Sequence, residues 1–374
     1  MDLHDRIATQ LKHREENNAL RKLQPPTSLI DFASNDYLGL SRSQELRESI
    51  DKIQIHSNGS TGSRLLTGNL QEIEKTEDYL AHFFKSDKTL IFNSGYSANL
   101  AVFSALPQRG DTIIYDELAH ASIKDGARLS MARRFSFKHN DLTDLEIKLN
   151  AVTSGNTFIA IESAYSMDGH YSPLAEIVKL AKAHAAYIIL DEAHTTGIAG
   201  ASGEGTAVSM QIQDDIFIRV YTFGKAMGIH GAAITCSKQV RDYVVNFSRP
   251  FIYTTAPNEH FAISIRETFE YLKRNTVLIH TLHQNIDLFN KLYTTHVGDR
   301  LVKVSDTHPV QSIIVPGASE VKQASDYLKS QGFDVRPILS PTVRAGEERL
   351  RVCLHAYNTP DQIESLIKGI KALT

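Results

Sequence analysis

Short apolar runs alternate with segments of helical periodicity over most of the chain. Strand-like runs occur at 89–92, 111–116, 156–163, 187–191 and 215–222. One intervening helix is predicted by Leu70, Ile73, Leu80 and Phe84, which lie near a single stripe. Buried parallel strands are continuously apolar and are connected by helices, so this pattern predicts an α/β fold with a mostly parallel sheet covered on both faces.

A helix start is predicted in the segment SPLAEIVKLAKAHAA, at 172–186. Ser172 is the expected N-cap, and Pro173 takes the first helical position. The apolar residues then follow the helical period, at Leu174, Ile177, Val178, Ala181 and Ala185.

The pattern changes after residue 258. A helical region at about 259–296 leads to a strand at 308–316, a helix near 318–330 and an alternating strand at 349–354. A last helix carries its apolar stripe on Ile363, Leu366, Ile367 and Ile370. We therefore expect three parts: an N-terminal helix and segment (1–40), a large α/β domain (41–258) and a smaller C-terminal α+β domain (259–374).

Composition narrows the possible functions. The 374 residues include 42% hydrophobic and 22% charged residues and carry a net charge of −3, so there is no electrostatic footprint for nucleic acid. Cys236 and Cys353 lack the spacing of a metal site or a disulfide framework. The charged N-terminus lacks the apolar core of a signal peptide, and no run has the length of a membrane span. We expect a reducing, cytoplasmic setting and no metal site.

The stretch IILDEAHTTG (188–197) ends a buried strand in Asp191 and could belong to a nucleotide-driven ATPase. That class needs a phosphate-binding GxxxxGK[ST] loop upstream of the strand. The nearest match, TFGKAMG (222–228), lies downstream, and Ala226 stands where a hydroxyl should hold Mg²⁺. The ATPase hypothesis therefore fails on the sequence.

Lys225 favours a different chemistry. It follows a buried strand and lies 34 residues after Asp191. A lysine in a desolvated pocket can form a Schiff base with the aldehyde of pyridoxal 5′-phosphate (PLP), whose pyridine nitrogen needs an acidic partner. Both residues follow strand ends, where open α/β sheets bind ligands. The alternative is a surface lysine and a capping aspartate.

Other residues could complete such a site. FNSGYSANLAVFSAL (92–106) places Gly95 and Tyr96 at a helix start that suits a phosphate, and Thr222 could add a hydroxyl. His120 follows a strand and could stack on the ring. His194 could reach the phenolic oxygen, and Ser166 lies in a strand-to-helix loop on the same side of the sheet. Alone, each of these residues would more often be structural, with Ser166 a turn residue and His194 a helix cap.

Together these motifs resemble the α-oxoamine synthases, a branch of the fold-type-I PLP-dependent transferases. The resemblance covers nearly the whole chain. The motifs, in order, are FASNDYLGLS (32–41), GSTGSRLLTGN (59–69), NSGYSAN, DELAHAS, SAYSMDG, LDEAHTTGIAG, TFGKAMGIHGAAI, FIYTTAPN (251–258) and SPTVRAGEERLRV (340–352).

The resemblance implies a role for each cofactor residue. Lys225 would hold PLP covalently, Asp191 would pair with the ring nitrogen, and His120 would stack on the ring. His194 and Ser166 would contact the phenolic oxygen. The phosphate would be bound by Gly95, Tyr96, Thr222 and, across a dimer interface, Thr254 or Thr255.

The resemblance also implies the substrates. Arg351 lies on an alternating strand whose other face is Leu350, Val352 and Leu354, which would leave Arg351 free to clamp the amino-acid carboxylate. Asn35 would line the same side, while Arg21 and Thr342 match positions that touch substrate. Arg64 matches a position near the entrance. The branch with the greatest similarity condenses L-alanine with pimeloyl-CoA or pimeloyl-acyl carrier protein in biotin biosynthesis, as a homodimer with shared active sites.

Alternatives remain within and outside this family. Sister enzymes use glycine or serine with other thioesters: glycine C-acetyltransferase, 5-aminolevulinate synthase and serine palmitoyltransferase. A plain aminotransferase would need no thioester, and a silent binding protein would bind no PLP. The sequence departs from the family at Thr61, where glycine is usual, at His230, where a small residue is common, and in a short segment after Arg21.

Overall fold

The structure is a computed structural model that describes residues 1–16, 19–23, 25, 27–305 and 307–374. The helices are α1 Leu3–Glu16, α2 Gln44–Asp51, α3 Gln71–Phe83, α4 Gly95–Ala105, α5 Ala121–Leu129, α6 Leu142–Asn150, α7 Leu174–Ala183, α8 Thr206–Ser209, α9 Lys238–Phe247, α10 Arg249–Ile252, α11 Glu259–Arg274, α12 Val277–His296, α13 Ala318–Ser330 and α14 Pro360–Lys371. The strands are β1 Ile30–Asp31, β2 Lys88–Phe92, β3 Thr112–Asp116, β4 Arg133–Phe137, β5 Thr157–Glu162, β6 Tyr187–Asp191, β7 Ile218–Thr222, β8 Ala232–Cys236, β9 Val310–Ile314, β10 Phe333–Asp334, β11 Arg336–Ile338 and β12 Arg349–Cys353.

The chain divides into two compact units. The larger unit contains residues 35–166 and 171–280, and the smaller contains 1–34, 167–170 and 281–374. We had expected the second boundary at 258, but α11 packs against α2 and α3 and therefore belongs to the larger unit. The N-terminal segment joins the C-terminal part of the chain because β1 pairs with β10.

The larger unit is built on a seven-stranded sheet in the order β2-β8-β7-β6-β5-β3-β4. Strands β4, β3, β5, β6 and β7 are mutually parallel, and β8 runs antiparallel to both β7 and β2. The predicted mostly parallel sheet is confirmed. The apolar runs did not single out β8, or β4, whose residues are mostly exposed.

Both faces of this sheet are buried. In β5, Phe158 and Ala160 join a core with α4, α5 and α9, whereas Ile159 and Ile161 join a second core with α6 and α7. Successive side chains of a strand point to opposite faces, so a continuously apolar strand contributes side chains to the core on each face of the sheet.

Helix α7 begins one residue later than the sequence suggested. Pro173 is the N-cap and the helix starts at Leu174, so the prediction of Ser172 as N-cap is wrong. The Ser172 hydroxyl instead donates to the Glu162 carbonyl at 2.7 Å. That bond ties the helix entry to the end of β5.

The smaller unit contains an antiparallel sheet in the order β11-β12-β9, with helices α13 and α14. The predicted stripe of α14 is buried, and Thr359 and Gln362 form a capping box at its start. Residues 167–170 belong here because Arg349 pairs with Asp168 and the Ser305 hydroxyl donates to the Gly169 carbonyl at 3.1 Å.

Candidate active site

Four strands of the larger unit end in polar residues at one edge of the sheet. These are Asp116 of β3, Glu162 of β5, Asp191 of β6 and Thr222 of β7. Glu162 and Asp191 are register partners on adjacent strands. The carboxyl ends of parallel strands meet at the same edge, which is where open α/β sheets bind their ligands.

Asp191 is held by hydrogen bonds to both carboxylate oxygens. Asp191 is only 5% exposed. Its Oδ2 accepts from Asn99 Nδ2 at 2.7 Å, and its Oδ1 accepts from the Ala193 N–H at 2.8 Å. Asn99 Nδ2 also reaches Ser122 Oγ at 3.0 Å. The two hydrogen bonds to Asp191 hold the carboxylate in place, which suits a charge that faces a ligand cation.

His120 caps the start of α5, with Ser122 Oγ 2.7 Å from its Nδ1. Its backbone N–H donates to Glu162 Oε1 at 2.6 Å. The residue is exposed, yet desolvation by the surrounding protein lowers the pKa of the imidazole, and this outweighs the opposing effect of Asp191. His120 is therefore mostly neutral near pH 7.

Glu162 is an acidic residue at this edge that the sequence analysis did not select. It is 3% exposed, and burial together with the charge of Asp191 raises its pKa to about 8. The charge of Lys225 acts in the opposite direction on Glu162, and it also lowers the pKa of His120. Lys225, Asp191, His120 and Glu162 therefore form one electrostatic cluster.

Lys225 lies in the turn after β7 and is half-buried. The turn is closed by a hydrogen bond from the Gly228 N–H to the Lys225 carbonyl at 2.8 Å. Neighbouring Ala226 and Met227 are buried, which anchors the lysine backbone. The expected position of Lys225 after a buried strand is found.

A helix start and a strand end meet beside this cluster. A Cβ atom on Gly95 would collide with Thr222 Oγ1, so α4 begins directly against the end of β7. Ser94 caps α4 by accepting from the Ser97 N–H at 3.2 Å. The N–H groups at this helix start and the Thr222 hydroxyl therefore lie close together, an arrangement that would suit a phosphate.

Tyr96 takes part in the same helix turn. Its hydroxyl donates to Asp125 at 2.5 Å, and its ring meets the His120 ring edge-on, with centroids 6.5 Å apart. Thr254 and Thr255 follow α10, and the Thr255 carbonyl accepts from Asn93 at 3.5 Å, two residues before Gly95. Their part in phosphate binding across a dimer stays a prediction.

His194 lies in the turn after β6 and is 2% exposed. Tyr37 Oη is 2.9 Å from its Nδ1 and 3.2 Å from Asn35 Oδ1. Asn35, a predicted substrate residue, is thus linked to a predicted cofactor residue through Tyr37. Ser166 is half-buried in the loop after β5.

The smaller unit brings Arg21 and Thr342 into one cavity of about 270 Å³. Its other walls include Arg14, Lys322 and Pro337. Three cationic side chains line this cavity, and none of the described residues that line it is acidic. Two positions predicted to touch substrate therefore share a basic cavity.

Arg351 lies on β12, as expected, but it is 7% exposed, and both faces of the strand are buried. Its Nη1 is 2.9 Å from Cys353 Sγ. We had expected an open face opposite Leu350 and Val352, so that expectation is wrong. Its role toward a carboxylate remains a prediction.

Two motif residues have structural roles. Glu192, the glutamate of the DEAH stretch, accepts from the N–H groups of Thr206 and Ala207 at 2.8 Å each and so caps α8. Arg64 is buried and pairs with Glu77 at 2.7 and 3.0 Å. Glu77 also accepts from the Ile91 N–H at 2.9 Å, so Arg64 joins its loop to α3 and β2.

Three functional candidates escaped the sequence analysis: Tyr37, Asn99 and Glu162. Glu162 had a usable signal, because an acidic residue ended a buried strand just as Asp191 did. Asn99 is a polar residue in the otherwise small and apolar helix α4, four residues after Gly95. Tyr37 had only its place in the NDYLGL segment as a signal.

The arrangement fits PLP. The N–H groups near Gly95 would suit its phosphate, Asp191 would suit its ring nitrogen, and Lys225 would supply the amine for its aldehyde. Asn99 Oδ1 is buried and without a hydrogen-bond partner in the described structure, beside the carboxylate that would meet the ring. The described residues contain no cluster of His, Cys, Asp and Glu suited to a metal ion, and none of their helices has the length and hydropathy to cross a membrane.

Sequence comparison identifies full-length relatives. Residues 27–370 match the family aminotransferase class I and II. The chain is 40% identical over 395 residues to an 8-amino-7-oxononanoate synthase of Emericella nidulans, covering 98% of this chain and 95% of the relative. A second such synthase, from Lysinibacillus sphaericus, is 35% identical over 99% of this chain and 98% of the relative.

Solved structures agree with this assignment. The 8-amino-7-oxononanoate synthase of Francisella tularensis has a TM-score of 0.79 at 31% identity, over 92% of this chain and 97% of that chain. A serine palmitoyltransferase of Sphingomonas wittichii shares the fold, with a TM-score of 0.90 at 24% identity over 100% of this chain and 98% of that chain. This chain therefore belongs to the aminotransferase class I and II family, in the branch of the 8-amino-7-oxononanoate synthases.

Proposed function

We propose that this chain is a PLP-dependent acyltransferase of biotin biosynthesis. It condenses L-alanine with a pimeloyl thioester of CoA or acyl carrier protein, giving 8-amino-7-oxononanoate, CO₂ and the free thiol. The observation that carries the proposal is the cluster of Asp191, His120 and the charge of Lys225 at one sheet edge, beside the helix start at Gly95. The names of the full-length relatives support the choice of substrates.

Bound PLP supplies an electron sink for the charge that develops on the amino-acid Cα. Asp191 would pair with the pyridine nitrogen of the cofactor, and hydrogen bonds from Asn99 and from the Ala193 N–H hold the carboxylate in place. Lys225 removes the proton from the alanine Cα and acts as general base. His120, being neutral, can donate to the thioester oxygen while the new bond forms.

The bond changes balance without an external oxidant or reductant. A carbon–carbon bond forms between the alanine Cα and the thioester carbonyl carbon, and the carbon–sulfur bond breaks. The thiolate takes a proton. The bond from Cα to the carboxylate then breaks to release CO₂, and a proton is added at Cα in its place.

The residues of the smaller unit are proposed to bind the charged ends of the substrates. Arg351 clamps the alanine carboxylate, since a guanidinium can bind a carboxylate through two hydrogen bonds. In the larger unit, Asn35 lines the amino-acid side of the site. The acyl donor is anionic, and the basic cavity of Arg21 and Thr342 suits it.

The first test is a titration of the purified protein with PLP, followed by visible absorption. A covalent complex gives a visible band that persists after dialysis, and Lys225→Ala abolishes the persistent band. L-alanine should change the band and the pimeloyl thioester should change it further. A protein that stays colourless after the addition of PLP contradicts the proposal.

We also propose a cytoplasmic homodimer in which Thr254 or Thr255 reaches the phosphate of the partner subunit. Light scattering measures the mass, and a dimer of the 41.7 kDa chain is expected. Mixing Lys225→Ala with Thr254→Ala/Thr255→Ala subunits should restore activity if sites are shared. A monomer of full activity contradicts this part.

A further inference from the structure

Three polar side chains of the larger unit form a short chain: Asn35, Tyr37 and His194. The hydroxyl of Tyr37 lies 2.9 Å from His194 Nδ1 and 3.2 Å from Asn35 Oδ1. Tyr37 is 1% exposed and His194 is 2% exposed. A phenolic hydroxyl has a single hydrogen, so it can donate to only one of these two partners.

Both ends of the Tyr37–His194 bond are held in place. The segment around Tyr37 is a tight turn, with Tyr37 N–H donating to the Asn35 carbonyl at 2.8 Å and Asp36 Oδ2 accepting from the Ser41 hydroxyl at 2.6 Å. His194 lies in the turn directly after Asp191, which is itself anchored by Asn99. The geometry of the bond is therefore set by the fold.

The proton position matters because a neutral imidazole carries one N–H. If Tyr37 donates to Nδ1, the imidazole carries its hydrogen on Nε2; if Tyr37 accepts from Nδ1, then Nε2 is a bare acceptor. The distance to His194 is the shorter of the two. The Asn35 amide can turn to donate to the tyrosine oxygen, which leaves the phenol proton for Nδ1.

We propose that Tyr37 is a positioning residue: it donates to His194 Nδ1 and so holds the imidazole as the Nε2–H tautomer. Nε2–H would then be the hydrogen that His194 offers to the phenolic oxygen of bound PLP, an oxygen that carries negative charge and needs donors. This second step rests on the proposed function of the site. The tautomer itself does not depend on that function.

The tautomer is read by two-bond ¹H–¹⁵N correlation spectra of the full-length protein labelled at histidine nitrogen, with PLP and after its removal. The spectrum of His194→Gln identifies the His194 signals by their loss. We expect the Nε2–H pattern in the wild-type protein and a shift away from it in Tyr37→Phe. An Nδ1–H pattern in the wild type, or an unchanged pattern in Tyr37→Phe, overturns the proposal.

The matched control is Tyr293→Phe. Tyr293 is 3% exposed and its hydroxyl donates to the Leu301 carbonyl at 2.8 Å, so the variant also loses one buried hydroxyl, but in the smaller unit. For histidines that bind a metal, losing the residue that orients the imidazole weakens binding about 10–100-fold, and we take the lower end of that range for a neutral imidazole in contact with PLP. We expect Tyr37→Phe to raise the Kd for PLP by about tenfold, and Tyr293→Phe to leave it unchanged.

The tautomer spectra test the Tyr37–His194 hydrogen bond, and the Kd for PLP tests its effect on cofactor binding. If the tautomer changes in Tyr37→Phe but the Kd for PLP does not, the link from Tyr37 to the cofactor is wrong. If the wild-type protein binds no PLP at all, the proposed function fails while the tautomer result still stands. Equal losses of PLP affinity in Tyr37→Phe and Tyr293→Phe would show a general effect of a lost hydroxyl and overturn the positioning role.

Discussion

Asp191 depends on a neighbour that the hydrophobic pattern does not single out. Asn99 Nδ2 donates to Asp191 Oδ2 at 2.7 Å and to Ser122 Oγ at 3.0 Å. Asn99→Ala should leave the carboxylate free to rotate and raise the Kd for PLP by about tenfold or more, as for other lost supporting contacts. Absorbance titration with PLP measures this.

The control for Asn99→Ala is Ser104→Ala. Ser104 is in the same helix, and its hydroxyl only donates to the Leu100 carbonyl at 2.5 Å. This variant should bind PLP like the wild type. An unchanged Kd in Asn99→Ala would show that Asp191 does not need the asparagine.

Glu162 predicts a pH dependence of stability. Its pKa is about 8 in the folded protein against 4.5 for the free group. The folded state therefore binds the proton more tightly, and the stability this contributes is complete below pH 4.5 and is lost as the pH rises toward 8. Urea unfolding of the PLP-free protein should show a falling free energy of unfolding across this range.

Glu162→Gln removes the titrating group and keeps an oxygen that can accept from the His120 N–H. The free energy of unfolding of this variant should depend less on pH between 5 and 8 than that of the wild type, because one titrating group is gone. Parallel curves for the two proteins would contradict the raised pKa.

At the scale of elements, the start of α4 and the end of β7 meet at Gly95. Gly95→Ala should force these two apart, because the new Cβ would collide with Thr222 Oγ1. Such overpacking typically costs about 1–3 kcal/mol, and the distorted helix start should also bind PLP more weakly. Thermal unfolding and PLP titration report the two effects.

Gly59→Ala is the matched control for Gly95→Ala, since no atom lies within 4 Å of a Cβ built there. Thr222→Ala combined with Gly95→Ala should recover part of the lost stability by removing the colliding hydroxyl. If Gly95→Ala and Gly59→Ala unfold alike, α4 does not lie as close to β7 as described.

Arg64 and Glu77 connect a loop, α3 and β2 through a buried ion pair. Arg64→Met should cost about 3–5 kcal/mol, because it leaves the Glu77 carboxylate buried without its cation. The exposed pair Lys368–Glu364 is the contrast, and Lys368→Ala should cost at most about 1 kcal/mol. Urea denaturation measures the free energy of unfolding of both variants. Equal losses of stability in Arg64→Met and Lys368→Ala would contradict a buried Arg64–Glu77 ion pair.

Most elements could be predicted because their apolar residues follow a clear period. β6 was bounded correctly at 187–191 and α13 at 318–330. Edge strand β4 could not be predicted because its residues are mostly exposed. The N-cap of α7 was misassigned because Ser172 has a better partner in the Glu162 carbonyl, a contact that no local pattern reveals.

The site was predicted in part for the same reason. Asp191, Thr222 and Lys225 were visible because each stands at or just after a buried strand end. Tyr37 and Asn99 act on residues far away in sequence, so only the folded chain brings them to His194 and Asp191. Arg351 is buried because both faces of β12 are covered by other parts of the fold, which the alternating sequence pattern of the strand does not reveal.

At the scale of the whole molecule, two units carry separate parts of the proposed chemistry. The larger unit contains Asp191, His120 and Lys225, and the smaller contains the basic cavity with Arg21 and Thr342. Arg21→Ala and Lys322→Ala should raise the KM for the pimeloyl thioester several-fold and leave the KM for L-alanine unchanged. Steady-state kinetics with each substrate varied in turn tests this.

A change in the KM for L-alanine instead would assign the basic cavity to the amino acid. Lys12→Ala is a suitable control, because Lys12 is exposed on α1 and outside the residues that line the cavity. Its kinetics should match those of the wild type.

The most direct test of the proposed function is the release of CO₂ from carboxyl-labelled L-alanine in the presence of PLP and pimeloyl-CoA. We expect CO₂ and free thiol in equal amounts, dependent on both substrates, absent in Lys225→Ala and far slower with glycine or L-serine. CO₂ release with glycine or L-serine in preference to L-alanine would place the enzyme in a sister activity. No CO₂ from any of the three, with amino-group transfer to a keto acid in its place, would contradict acyl transfer altogether.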